Sequence, residues 1–192
     1  MAEKTITYLA KAGPSQRKEC IRAAAARAKE LDVKHVVVAT TSGRTALEMA
    51  AALKKIGCRA RVLGVGYSSE YAAKWGALKP SVVSKAEKLG VAFITGTHIM
   101  GGIDSAVSSR FGGAAPGKLI AEAFYTLGQG FKVAVEVSVM ALDQGKIPAK
   151  TEIIALGGTG AGADTAIALT PENASQFFAL KIHEVIALSS RR

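Results

Sequence analysis

Across residues 15–31 the apolar positions Ile21, Ala24, Ala28 and Leu31 recur at helical spacing behind Pro14, and they predict an amphipathic helix. Residues 36–39 read Val-Val-Val-Ala without polar alternation, the pattern of a strand covered on both faces of a parallel sheet. A second helix starts near Arg44, keeps Ala46, Met49, Ala50, Leu53 and Ile56 on one face, and stops at Gly57, a residue suited to a left-handed C-terminal cap. Residues 61–66 follow as a strand, 81–89 as a helix, and 91–95 as a third strand beyond Gly90. This alternation predicts a doubly wound α/β architecture with right-handed crossovers.

The pattern is weaker further on. Residues 96–117 hold six glycines and few core-forming positions, which predicts a long functional loop. Leu119, Ile120, Ala123, Phe124 and Leu127 mark a helix ended by Gly128. In residues 132–139 two periods compete: Val133, Val135, Val137 and Val139 alternate like a strand, while Val133, Val137 and Met140 suit a helix, and the local pattern leaves both open. Residues 152–156 and 165–169 read as strands, with a further strand expected after Glu184.

With 192 residues, 49% of them hydrophobic, the chain suits one compact domain with a substantial core. The opening Met1-Ala2-Glu3-Lys4-Thr5 carries an acid and no apolar block, and no apolar run reaches the roughly 18 residues of a membrane span. A cytoplasmic protein is expected, with Cys20 and Cys58 reduced and serving as small core or boundary residues. Lys and Arg number 25 against 15 Asp and Glu, and the resulting net charge of +10 favours anionic partners. Nucleic acid is disfavoured among these, because aromatics make up only 6% and no aromatic-interleaved basic stripe or helix-turn-helix pattern occurs. Arg17, Lys18, Arg22, Arg27 and Lys29 read as a solvated helix face. No His, Cys or acid cluster has metal-ligand spacing, and His35 and His183 have no evident partners.

The most informative loop is Thr40-Thr41-Ser42-Gly43-Arg44-Thr45, where a buried strand runs straight into the first turn of a helix. Unpaired amides, the positive end of the helix dipole and the hydroxyls of Thr41, Ser42 and Thr45 converge there. Gly43 permits close backbone approach and Arg44 offers a planar fork for a phosphate. An ordinary cap needs one hydroxyl, so the combination favours phosphate binding over capping alone.

The second loop, Gly157-Gly158-Thr159-Gly160-Ala161-Gly162-Ala163-Asp164, superficially spells a dinucleotide fingerprint. The short stretch from Thr165 to Pro171 leaves no room for the helix that motif requires, and Glu184 lies ahead of its strand, so a turn or second wall of the ligand site is expected. Gly112-Gly113-Ala114-Ala115-Pro116-Gly117-Lys118-Leu119 approaches a Walker A loop but has Leu119 in place of the magnesium-binding hydroxyl and no preceding strand. His98, at the carboxyl end of a strand beside Thr97, is placed where open α/β sheets hold ligands. His98 or Asp104 could serve as acid or base in a small enzyme.

The stretch from Val36 through Thr40-Thr41-Ser42-Gly43-Arg44-Thr45 to Ala46 is similar to the segment opening the C-terminal domain of pyruvate kinases, and Ile153-Ile154-Ala155-Leu156-Gly157 with Gly160-Ala161-Gly162-Ala163-Asp164-Thr165 resembles a strand and glycine loop near that domain's end. With Thr97-His98, Arg110-Phe111-Gly112-Gly113 and Val139-Met140-Ala141-Leu142-Asp143, the chain over most of its length resembles stand-alone pyruvate kinase C-terminal-like proteins. The resemblance implies a three-layer α/β fold with a mostly parallel sheet of about five strands, a helix over residues 132–144, and a phosphorylated ligand gripped by the first loop and covered by the second. It implies FMN as a candidate cofactor, a ligand-binding or regulatory role, and no pyruvate kinase activity, since that chemistry belongs to a separate (β/α)₈ barrel. The Gly-rich stretch of residues 96–117 departs from the kinase pattern. Self-association into a homo-oligomer is expected of such a domain.

Overall fold

A computed structural model describes residues 4–189. One seven-stranded sheet organises them, with strands β1 (Thr7–Leu9), β2 (His35–Ala39), β3 (Arg61–Gly66), β4 (Ala92–Thr95), β5 (Ile153–Gly157), β6 (Thr165–Thr170) and β7 (Lys181–Ser189). Their order across the sheet is β1-β7-β6-β5-β2-β3-β4. The β1/β7, β5/β2, β2/β3 and β3/β4 pairs are parallel, whereas β6 runs against both of its neighbours. The sheet is thus mixed and larger than the expected five strands. β1 has only three residues and β7 is half polar, so neither announces itself as a buried strand. Glu184 lies within β7 rather than ahead of it.

The seven helices are α1 (Arg17–Glu30), α2 (Arg44–Lys55), α3 (Ser69–Trp75), α4 (Pro80–Glu87), α5 (Ile103–Phe111), α6 (Pro116–Tyr125) and α7 (Gln129–Asp143) among the described residues. Side chains alternate across the sheet, as strand geometry requires. Val36, Val38, Ile154 and Leu156 face a core shared with α1 and α2, while Val37, Ile153, Ala155 and Ile167 face one shared with α7. Helices therefore cover both faces of the sheet.

α7 resolves the conflict of periods in residues 132–139. Its residues from Gly130 to Leu142, Val133 excepted, are buried, so the helix has almost no polar face and its valines recur without an amphipathic signature. The expected loop over residues 96–117 is also corrected, because α5 lies within it and α6 begins at Pro116. α5 buries none of its residues, and neither does α3, which has no counterpart in the sequence reading. An apolar stripe is what betrays a helix in a sequence, and these two lack a buried one.

Chain order reverses between β2 and β5. From β2 the chain proceeds outward to β3 and β4; from β5 it turns the other way to β6 and β7. In open sheets such a switch point leaves a crevice at the carboxyl ends of the strands, and both glycine loops emerge beside it. No described helix is long and apolar enough to cross a membrane.

Candidate functional site

A cavity of about 430 Å³ lies at these carboxyl ends. That volume falls within the roughly 300–1,000 Å³ of small-molecule sites. Thr40, Thr41, Ser42, Arg44 and Thr45 line it from the β2–α2 loop, Gly158, Gly160, Ala161 and Gly162 from the β5–β6 hairpin, and His98 from the segment after β4. Residues far apart in the chain, singled out on separate grounds, thus share one concavity.

Gly43, Gly157, Thr159, Ala163, Asp164 and Thr165 do not line it. Gly43 adopts the left-handed conformation (φ 90°) at the start of α2, and a side chain there would meet Val82 and Phe93 on the face away from the cavity. Its amide donates to the Thr40 hydroxyl at 3.1 Å, which fixes the turn. The first intrahelical bond runs from the Leu47 amide to the Gly43 carbonyl, so earlier amides of α2 have no helical acceptor. Asp164 is a clasp: its buried carboxylate accepts the Gly13 amide at 2.7 Å and the Thr159 amide at 3.0 Å, tying the hairpin to the segment before α1. β6 follows the hairpin directly, paired antiparallel with β5, so the glycine loop opens no dinucleotide-binding helix.

The cations of the site come from several elements. Arg17, expected on a solvated face, instead has a largely buried side chain that reaches the Glu48 carboxylate at 2.8 Å. Arg44 meets the other oxygen of Glu48 at 2.8 Å and keeps 64% of its side chain exposed. Burial raises the Glu48 pKa, but hydrogen bonds from the two arginines outweigh it and hold the carboxyl below its ordinary range. One carboxylate offsets two guanidiniums, leaving a net positive charge at the mouth of the phosphate-binding candidate. Lys118, from the rejected Walker-like stretch, also lines the cavity at the start of α6.

Opposite the β2–α2 loop stands a buried ionic cluster that the sequence reading missed. Lys132 Nζ lies 2.6 Å from Glu136 Oε2, and His98 Nδ1 lies 3.2 Å from the same oxygen. The Met100 amide donates to Glu136 Oε1 at 3.0 Å. Burial pushes the Glu136 carboxyl upward, and the His98 hydrogen bond and Lys132 charge overcome it, so the group titrates below its ordinary value and stays ionised. The available signal was a Lys and a Glu one helical turn apart inside a valine-rich run, where a solvated pair is out of place. Asp104, the other candidate acid or base, lies outside the lining; its carboxylate accepts the Gly117 amide at 2.5 Å and stabilises the start of α6.

Aromatic rings complete the wall. Tyr67 stacks on His98 with centroids 5.6 Å apart, Tyr71 meets it edge-on at 5.0 Å, and Trp75 packs against Tyr71 at 4.7 Å. Tyr125 lines the same space from α6. The arrangement offers cationic and hydroxyl donors for a phosphate together with flat apolar surfaces for a planar ring. Hydroxyls, cations and aromatic rings, the groups an FMN phosphate and ring would call on, line the same cavity.

The remaining histidines sit elsewhere: His183 pairs with the Thr170 hydroxyl at 2.9 Å, and His35 is held below its ordinary pKa by burial and by Arg61. Cys20 is fully buried, and burial pushes its thiol far upward, consistent with a packing role. Among the described residues no group of three or more His, Cys, Asp or Glu is placed to hold a metal ion. No protein-family model matches the chain.

Proposed function

We propose that this chain binds a phosphate-bearing small molecule, with FMN the leading candidate, in the cavity between the β2–α2 loop and the β5–β6 hairpin, as a ligand-binding or regulatory domain without pyruvate kinase chemistry. The observation that carries the reading is the convergence of both glycine loops, His98 and the cations Arg17, Arg44, Lys118 and Lys132 on one cavity. Thr41, Ser42, Thr45 and the first amides of α2 receive the phosphate, and Arg44 gives it a charge-assisted contact. The rings of Tyr67, Trp75 and Tyr125 flank the rest of the ligand. In this reading the two loops correspond to those that hold the effector in pyruvate kinase C-terminal domains.

Equilibrium binding of FMN and riboflavin, identical but for the phosphate, tests this directly. FMN is expected to bind at least about tenfold tighter, and Arg44→Ala to weaken FMN by about 1.5–3 kcal/mol while leaving riboflavin unaffected. Equal affinities for the two flavins would remove the phosphate from the interaction.

A small enzyme acting on a phosphorylated metabolite is the second reading. The ionised, buried Glu136 that orients His98 favours it, because an imidazole held by a carboxylate is the usual arrangement of a general base. Turnover of a phosphorylated metabolite that disappears in His98→Ala would select this reading over binding alone.

A further inference from the structure

His98 carries a polar atom whose place in the fold is otherwise unexplained. Its Nε2 is buried and has no hydrogen-bond partner among the described residues. Buried polar atoms without partners are rare in folded proteins because an unmet donor or acceptor forfeits the hydrogen bonds it would make with water. The other ring nitrogen fixes what Nε2 can do. A carboxylate only accepts, so the contact with Glu136 places the hydrogen on Nδ1. An imidazole whose single hydrogen sits on Nδ1 presents an open lone pair at Nε2.

The cover over this lone pair is built differently from the cluster beneath it. Glu136 and Lys132 belong to α7, the most deeply buried helix. The rings packed on His98 are Tyr67, just beyond β3, and Tyr71 of α3. α3 buries none of its residues and ends at Gly76, whose φ of 105° suits a glycine. A rigid, pre-oriented acceptor is thus capped by a short, superficial helix at the wall of the cavity.

We propose that His98 Nε2 is a concealed specificity determinant, which accepts a hydrogen bond from a ring N–H of the ligand once Tyr71 has moved aside, with Glu136 as its positioning residue. The inference rests on the ligand-binding reading above and refines it. The rings around His98 suit a planar ligand head, and the acceptor at Nε2 selects a head that carries an N–H at its edge. On oxidised FMN the only ring N–H is that of the imide. Ligands whose ring edge lacks a donor leave Nε2 unmet as it is in the free protein, forgo that hydrogen bond and bind more weakly.

The test uses the whole chain, labelled with ¹⁵N in its histidines, and compares FMN, its N3-methyl derivative and inorganic phosphate. FMN is expected to move the Nε2 resonance of His98 while Nδ1 remains protonated, and N3-methyl-FMN and phosphate are expected to leave Nε2 unmoved. FMN should bind at least about tenfold tighter than N3-methyl-FMN, and His98→Ala should abolish that preference. Tyr71→Ala should raise the association rate several-fold and keep the preference. Because the methylated ligand is tested on unaltered protein, the result stands even if a variant misfolds. Equal binding of the two flavins, or FMN bound with an unmoved Nε2 signal, overturns the inference and leaves the phosphate site intact. Failure of FMN to bind also sinks it, and if inorganic phosphate fails as well, the site reading falls with it.

Discussion

Asp164 joins two pieces of backbone that lie far apart in the chain. With 1% of its surface exposed, it accepts two backbone amides from segments about 150 positions apart in the chain, Gly13 and Thr159. Asp164→Ala would strand both donors, and the expected loss is about 2–3 kcal/mol of unfolding free energy, measured by urea denaturation. A loss under about 0.5 kcal/mol would mean the hairpin holds its shape without the clasp. The β2–α2 loop was readable because its chemistry is local: a strand, hydroxyls, a glycine and an arginine in consecutive positions. Lys132 and Glu136 were not, because their role depends on burial and on His98, which is 38 positions from Glu136. Sequence spacing puts Lys and Glu on one helix face but says nothing of whether that face meets water.

Helices with a one-sided apolar pattern were read correctly to within a few residues, as α1 and α2 demonstrate. Those at either extreme were not. α7 is buried nearly all round and α3 and α5 are exposed nearly all round, so none has the contrast between faces on which periodicity depends. Besides its buried valines, a glycine lets α7 approach the sheet closely. A side chain at Gly157 of β5 would collide with the Gly130 carbonyl and the Ala134 amide of α7, both backbone atoms that cannot swing away. Gly157→Ala must therefore push α7 off the sheet, with an expected loss of about 3 kcal/mol or more. Since α7 carries Lys132 and Glu136, flavin affinity should fall with stability in that variant. An alanine tolerated within about 0.5 kcal/mol would show that the helix is seated by other contacts.

For the molecule as a whole, the edge of the sheet beyond the antiparallel strand is held by charge. Glu184 of β7 takes two hydrogen bonds from Arg27 of α1, each 2.7 Å, and pairs with Lys4 in the segment leading to β1. These contacts, Arg27 foremost, bring its carboxyl to a pKa of about 2, against burial that would raise it, from an ordinary value of 4.5. A carboxylate whose pKa is lower folded than unfolded stabilises the fold above the unfolded value and loses that contribution as pH falls toward the folded one. The window is therefore about pH 4.5 to 2, and after screening at this partly exposed position the contribution is about 1 kcal/mol. Glu184→Gln removes the titrating group and leaves the remaining acids in place. Between pH 7 and pH 3 the variant should lose less stability in urea titrations than the unaltered chain; equal losses would locate the acid sensitivity elsewhere, with Glu48 and Glu136, also held below the ordinary carboxylate range, next in turn. Because Glu136 lines the cavity and Glu48 pairs with Arg17 and Arg44, which line it, whereas Glu184 does neither, flavin affinity in the Glu184→Gln variant should follow the same pH profile as in the unaltered chain, so that acid loss of binding and acid loss of fold are separable.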